Sequence, residues 1–327
     1  MSKLIDTCGR KIDYLRISVT DRCNLRCYYC MPPEGVEFKD HIEILRYEEI
    51  IKVVKTGVKL GIKKIRLTGG EPLVRPQIVK LVRMLNKIPE IEDISLTTNG
   101  ILLEKYAEGL LAAGLDRVNI SLDTLQADKF KKITGFDNHH QVISGIETAL
   151  KLGLKPVKIN VVLMKGINDN EVFDFINLTK EASLHVRFIE FMPAGNNSAK
   201  QDDRYLGIDE LKERISRKEK LLPIRFSQGN GPAAYYKVPG FLGTIGFITP
   251  ISNHFCSSCN RLRLTATGQL RPCLTSDQEY DLKGILRDSK DTSKLKEVFI
   301  KAIKRKPEEH QMYQADCFSK NMSQIGG

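Results

Sequence analysis

Cysteines are the residues of this chain most able to do chemistry, and six of the eight fall into two close sets. Cys23, Cys27 and Cys30 are spaced C-x3-C-x2-C, Cys256, Cys259 and Cys273 are spaced C-x2-C-x13-C, and only Cys8 and Cys317 stand apart. In a reducing cytosol such spacing points to metal ligation or catalysis and away from disulfides. Three thiolates from one loop can hold a four-iron cluster through three of its irons, leaving the fourth open to an outside ligand. A zinc site completed by Cys8 or His41 is the other chemistry open to the first set, although structural zinc usually takes two separated pairs. In the second set, Ala266, Thr267 and Gly268 lie between Arg261-Leu262-Arg263-Leu264 and Gln269-Leu270-Arg271, which reads as a hairpin folding Cys273 back beside Cys259. A Cys3His zinc site using His254 and a second iron-sulfur cluster with an open iron both fit that spacing.

Those loops need a scaffold, and the first two-thirds of the chain repeats one unit: a short strand-like run, a polar or glycine-bearing loop, then a helix-like stretch. The runs are Tyr14 to Val19, Lys64 to Thr68, Asp93 to Thr98, Arg117 to Asp123, Val157 to Met164 and Val186 to Met192. Stretches such as Arg46 to Leu60, Gln77 to Lys87 and His140 to Leu152 read as helices between them, so the expected fold is α/β with a parallel sheet. Six units predict an incomplete (β/α)6 barrel of the TIM type, followed by a C-terminal α+β region that carries the second cysteine set. The expected boundary gives residues 1–193 and 194–327, because after Pro193 the chain turns polar and then rich in glycine and proline. Gly240, Gly243 and Gly246 are expected to be turns in a sheet, since they neither follow a clear strand nor open a helix.

Side chains alternate along a strand, so each run can be split into two faces. One face carries Leu15, Ile17, Ile65, Leu67, Val118, Ile120, Ile159 and Val161 and suits packing against outer helices. The other carries Arg16 and Ser18; Arg66 and Thr68; Ser95, Thr97 and Asn99; Asn119, Ser121 and Asp123; Lys158 and Asn160. An ordinary barrel is filled with branched apolar residues. This interior is polar and partly cationic, as a wet anion-binding cavity would be. The sixth run is mixed, with Arg187 on the same face as Ile189 and Phe191.

Lysine and arginine total 51 against 40 aspartates and glutamates, a net charge of +11 that favours an anionic partner. Tryptophan is absent and basic residues do not alternate with aromatics, which argues against a single-strand nucleic-acid platform. The longest apolar candidate, Phe241 to Ile251, is broken by Gly243, Gly246 and Pro250, and Asp6, Arg10, Lys11 and Asp13 stand where a signal peptide would be apolar. The expectation is a cytoplasmic protein with no membrane and no nucleic-acid partner.

The first cysteine loop, with Tyr29 just before its last cysteine, resembles the cluster-binding signature of radical S-adenosylmethionine enzymes. Gly69-Gly70-Glu71-Pro72 resembles the motif that contacts the methionine moiety in the same enzymes. The segment at 256–265, Gly231-Pro232-Ala233, the run from Arg187 to Met192 and the terminal Gly326-Gly327 narrow the resemblance to the GTP 3′,8-cyclases of molybdenum cofactor biosynthesis. That resemblance covers nearly the whole chain. It implies two 4Fe-4S clusters and S-adenosylmethionine as cofactors. A cluster on Cys23, Cys27 and Cys30 would cleave S-adenosylmethionine to a 5′-deoxyadenosyl radical that abstracts the 3′ hydrogen of GTP, and C3′ would then bond to C8 of guanine. A cluster on Cys256, Cys259 and Cys273 would hold the guanine.

Matching positions assign Tyr29, Gly70, Thr97, Ser121 and Met192 to S-adenosylmethionine, and Arg16, Arg66, Lys158, Arg187, Arg261 and Arg263 to GTP. Gly326 and Gly327 would reach into the site and help set up radical formation. The implied partners are an electron-donor protein of flavodoxin or ferredoxin type and a downstream cyclic pyranopterin monophosphate synthase, with a homodimer also expected. Two other readings are a radical S-adenosylmethionine enzyme modifying peptide or RNA, which predicts extra cysteines or a recognition domain, and a zinc-containing basic RNA-binding protein. The second predicts affinity that falls steeply with salt.

Overall fold

The computed structural model describes residues 4–192, 202–225, 231–288, 293–310 and 322–326. Six parallel strands form in the expected places: β1 (Tyr14–Ser18), β2 (Lys64–Thr68), β3 (Asp93–Thr98), β4 (Arg117–Ser121), β5 (Val157–Leu163) and β6 (Leu184–Glu190). Each pairs with the next in chain order. The helices α1 (Tyr47–Leu60), α2 (Ile78–Asn86), α3 (Leu103–Ala112), α4 (Ala127–Thr134), α5 (His139–Lys151) and α6 (Val172–Glu181) lie between them in sequence. The apolar parity set is the core: Leu15, Ile17, Ile65, Leu67, Val118, Ile120, Ile159 and Val161 are fully buried in one cluster with the helices. Locally α1 has clear punctuation. Glu49 at its third position accepts from the Arg46 backbone N–H at 2.7 Å, and Gly61 ends the helix in the left-handed conformation.

β6 starts two residues earlier than the apolar run suggested, because Leu184 and His185 pair with Val157 and Lys158 of β5. Arg187, paired with Asn160 of β5, is buried.

The C-terminal strands do not form a sheet of their own. They are β7 (Leu222–Ile224), β8 (Ala234–Lys237), β9 (Thr244–Ile248), β10 (Arg261–Leu264), β11 (Gln269–Arg271) and β12 (Tyr280–Asp281). β10 adds parallel to β1 and β9 adds parallel to β6, so one twelve-stranded sheet runs β12-β11-β10-β1-β2-β3-β4-β5-β6-β9-β8-β7. The remaining helices are α7 (Ile208–Ser216), α8 (Lys283–Asp288), α9 (Ser293–Lys304) and α10 (Met322–Ile325). The barrel wall is open, and both of its edges are lengthened by the region that holds the second cysteine set.

Of the glycines expected as turns, Gly240 has the positive φ of one, but Gly246 lies inside β9. Its pairing partner is Arg187, and a Cβ there would stand 2.9 Å from Arg187 Cγ. The residue is glycine because the arginine side chain crosses it.

Glu190, at the end of β6, joins the barrel to the loop before the second cysteine set. Its buried carboxylate accepts from the backbone N–H groups of Ile208, Ile251 and Ser252 at 3.3, 2.9 and 3.0 Å, and from the hydroxyls of Tyr205 and Ser252. Replacing it with alanine strands these donors, and Glu190→Ala is expected to lower stability by about 3 kcal/mol. A fall in the urea midpoint at unchanged m-value checks this.

Candidate active site

The first cysteine loop leaves the C-terminal end of β1, where active sites of such barrels form. The Gly70 and Glu71 backbone N–H groups donate to Thr20 O and Arg22 O, both at 2.8 Å, which lays the Gly-Gly-Glu-Pro segment against the loop. On the far side Arg26 N and Tyr28 N donate to Thr134 O and Ile133 O at the end of α4. The Tyr29 hydroxyl donates to Asp123 Oδ2 at 2.5 Å, and Asp123 Oδ1 accepts from Val162 N at 2.8 Å. Glu71 faces inward and takes Leu73 N, Thr98 Oγ1 and Asn99 N within 2.9 Å, while its burial lifts the carboxyl to about 7. Glu71 therefore shapes the turns after β2 and β3.

Cys23, Cys27 and Cys30 are half-buried free thiols. Burial pushes Cys23 up to about 11 and Cys30 to about 12, and Cys27 also rises strongly; neighbouring cysteines push Cys27 and Cys30 the same way, and the Glu71 carboxylate pushes Cys23. Backbone N–H groups already reach two of the sulfurs, Leu25 N at 3.4 Å from Cys23 Sγ and Ser323 N at Cys30. Among the described residues no three His, Cys, Asp or Glu side chains are drawn to metal-binding separation. The donor chemistry nonetheless fits an iron-sulfur cluster: soft ligands on one loop, mutually close, and needing a positive centre to ionise where they are buried.

The hairpin expected between Cys259 and Cys273 forms. β10 and β11 pair antiparallel, Arg263 opposite Arg271, with the turn closed by Gly268 N donating to Thr265 O at 3.0 Å. Burial raises Cys256. At Cys259 burial is outweighed by the Arg261 guanidinium and the Lys306 ammonium, which bring the thiol down to about 6. His254, the candidate fourth ligand, has Nε2 3.6 Å from the Glu309 carboxylate and lies edge-on to His310.

Between the two loops lies the cationic interior. The register sets Arg263, Arg16 and Arg66 side by side on β10, β1 and β2, and Lys158 and Arg187 on β5 and β6. Arg66, Lys158, Arg187 and Arg263 are buried. Arg66 Nε donates to Ser95 Oγ at 3.2 Å and Arg187 Nη2 to Asn119 Oδ1 at 2.7 Å, while Arg187 Nε is buried without a hydrogen-bond partner. Among the described residues Arg66, Arg187, Arg261 and Arg263 make no ion pair with a carboxylate. Burial, then mutual repulsion, lowers Arg16 strongly and brings Arg263 to about 10; burial likewise brings Arg66 to about 10. The Gly326 carbonyl accepts from Arg16 Nε at 3.0 Å and Arg263 Nη1 at 2.8 Å. Gly326 sits there with φ +71°, and a Cβ would stand 3.0 Å from Ser18 Cβ, so the position suits glycine.

Thr97 and Ser121 share the interior face with these cations, and Gly70 and Met192 lie just beyond β2 and β6. Gly327 and Cys317 lie outside the described residues. Three interior residues escaped the sequence reading. Arg117 is held by Asp93 through Nε and Nη2, one edge of its guanidinium, and both residues lie on the interior parity of their runs, so alternation could have found them. Tyr235, which meets the Lys158 ammonium at 5.7 Å, arrives from β8 across the sheet and leaves no local signal.

Comparison with known proteins now decides the family. Residues 17–179 match the Radical SAM superfamily, and residues 184–312 match Molybdenum Cofactor Synthesis C. The chain is 58% identical to a GTP 3′,8-cyclase of Petrotoga mobilis over 99% of its own length and 100% of that protein. The chain belongs to the GTP 3′,8-cyclase family. A second cyclase, from Moorella thermoacetica, is 53% identical over 98% of this chain and 99% of its own. In fold, Streptococcus suis SuiB bound to S-adenosylmethionine superposes with a TM-score of 0.60 at 15% identity, covering 94% of this chain and 77% of SuiB. A cyclase of this superfamily works with S-adenosylmethionine and an iron-sulfur cluster. No helix among the described residues is long and apolar enough to cross a membrane.

Lys158 gives the interior a pH signature. Burial, and then Arg187, Arg117 and Arg66, lower its ammonium to about 6, so it is largely neutral above that pH in the free protein. A bound polyanion raises it again, and binding must draw in a proton. Between about pH 7.5 and 9, tripolyphosphate affinity is expected to fall by up to about tenfold per pH unit. Calorimetry in buffers of different ionisation heat should register proton uptake; affinity flat with pH and no uptake would remove Lys158 from the anion site.

Proposed function

We propose that the chain converts GTP to (8S)-3′,8-cyclo-7,8-dihydroguanosine 5′-triphosphate, an early step of molybdopterin cofactor biosynthesis, and does so with two 4Fe-4S clusters. The observation that carries this reading is the row of Arg263, Arg16 and Arg66, with Arg263 and Arg66 buried and Arg16 half-buried, and with Lys158 and Arg187 facing the same interior. Clustered like charges in a low-dielectric cavity are stable only with an anion among them, and arginine forks match phosphate oxygens.

Arg16, Arg66, Lys158, Arg187, Arg261 and Arg263 bind and orient GTP. Tyr29, Gly70, Thr97, Ser121 and Met192 bind S-adenosylmethionine at the mouth, near Cys23, Cys27 and Cys30. When bound, the reduced cluster on these cysteines and S-adenosylmethionine together supply a 5′-deoxyadenosyl radical for the 3′ hydrogen of GTP. Cys256, Cys259 and Cys273 would hold the second cluster, which would supply a binding position for the guanine. Gly326 and Gly327 help to set up radical formation, and the Gly326 carbonyl keeps the Arg16 and Arg263 guanidiniums oriented. Fixing the distance from C3′ to C8 is the protein's share of such a reaction.

The division into a barrel over 1–193 and an auxiliary region over 194–327 belongs to this proposal. So do a flavodoxin- or ferredoxin-type electron donor, a cyclic pyranopterin monophosphate synthase as recipient of the product, a homodimer and a cytoplasmic location.

Anaerobic turnover of reconstituted protein with GTP deuterated at C3′ tests the reading, with 5′-deoxyadenosine followed by mass spectrometry. Deuterium is expected in 5′-deoxyadenosine; formation of unlabelled 5′-deoxyadenosine would reject GTP hydrogen abstraction at C3′. Arg263→Ala is expected to weaken apparent GTP affinity by about 10- to 100-fold, the loss of a charge-assisted hydrogen bond. Its iron on the first loop and its slow uncoupled 5′-deoxyadenosine formation should persist. Unchanged GTP affinity and turnover would take Arg263 out of the substrate site.

A further inference from the structure

Two buried cations outside the row described above meet the second cysteine set from behind. Arg10 lies in the N-terminal hairpin closed by the bridge between Ile5 and Lys11, and Lys306 lies just past α9. Both are nearly inaccessible to solvent.

Arg10 Nη1 donates to Cys256 O at 2.8 Å and to Glu308 O at 2.9 Å, and Nη2 donates to Pro307 O at 2.7 Å. Its charge is met by Asp6, whose Oδ2 lies 2.5 Å from Nε. Lys306 Nζ donates to Arg261 O at 2.9 Å and Pro272 O at 2.6 Å. These carbonyls belong to Cys256 itself, to the second residue after Cys259 and to the residue just before Cys273. Each of the three ligand segments is thus tied to one of two cations, and the cations are joined through the backbone from Lys306 to Glu308.

The two differ in charge balance. Arg10 has Asp6; Lys306 is bonded to carbonyls and, among the described residues, makes no ion pair with a carboxylate. Burial lowers its ammonium, and the charges of Cys259 and Cys273 oppose this. An ammonium buried beside thiolates and lacking a carboxylate is costly alone and is offset once a negatively charged thiolate cluster sits next to it. Outer groups of this kind orient metal ligands and tune the metal.

We propose that Arg10 and Lys306 are positioning residues for the second cysteine set, and that the Lys306 ammonium raises the reduction potential of the cluster held there. Reduction adds negative charge to a cluster, and a fixed positive charge beside it favours the reduced form. The inference rests on the two-cluster reading above.

The test uses the full chain with Cys23, Cys27 and Cys30 replaced by alanine, so that the second cluster is observed alone after anaerobic reconstitution. In this background about four irons per chain are expected; none would reject the two-cluster reading itself, before either cation is varied. Lys306→Gln retains two N–H donors and removes the charge. Its midpoint potential, from a redox titration followed by electron paramagnetic resonance, is expected to move to a more negative value, and Lys306→Arg is expected to return it towards the background.

A potential unchanged in Lys306→Gln, or displaced equally in Lys306→Arg, overturns the role given to the charge. If Lys306→Gln holds no cluster, Lys306→Arg decides: a cluster at the background potential supports the proposal, and failure to hold one overturns it. Arg10→Gln is expected to lose iron to a chelator at least about tenfold faster than the background, the effect typical of an outer-shell partner. An unchanged rate of loss would overturn the positioning role of Arg10.

Discussion

Like charges placed side by side in a buried interior are the constraint on which the rest of this structure depends. Arg263, Arg16 and Arg66 are neighbours on three parallel strands, and no rearrangement within the sheet can separate them without breaking its register. Their tolerance has visible structural consequences. Tyr14 presents its ring to Arg66 at 5.7 Å, Ser95 and Asn119 supply neutral acceptors, and the Gly326 carbonyl stands between Arg16 and Arg263. Neutral acceptors satisfy hydrogen bonds but leave the charge in place. The cavity is therefore kept in readiness for a polyanion.

Acidic groups are used differently, and sparingly. Glu71, Asp123 and Glu190 stand at or just past the ends of β2, β4 and β6, and each turns to backbone N–H groups and hydroxyls of the surrounding loops. They hold the mouth in shape without neutralising the arginines beneath. Asp93 differs in that its carboxylate is paired with the Arg117 guanidinium.

The sheet order explains how one site can draw on both ends of the chain. β10 binds to the free edge of β1, so the second cysteine set and Arg263 arrive next to the first loop although more than two hundred residues separate them in sequence. On the other edge β9 and β8 bring Gly246 and Tyr235 against Arg187 and Lys158. The barrel is incomplete so that the later region can supply its remaining walls. Family membership agrees with this arrangement, because the two matched regions lie on one continuous sheet.

Local rules made much of this readable in advance. Alternation assigned Arg16, Arg66, Lys158 and Asn119 to one interior, since a strand offers only two faces and the apolar one must meet the helices. Cysteine spacing marked out the two cysteine loops and the hairpin turn at Ala266 to Gly268, and the motif resemblance pointed to the family. Arg117 and Asp93 were legible by the same alternation, though an ion pair looks like any other charge until its partner strand is known. What only the tertiary structure decided depends on pairing between distant strands: β10 beside β1, β9 beside β6, and the Gly326 carbonyl between two arginines. The grip of Arg10 and Lys306 on the second cysteine set is of the same kind. Backbone carbonyls are the same at every residue, so which of them a buried cation will find is set by how the chain packs and not by the side chains along it.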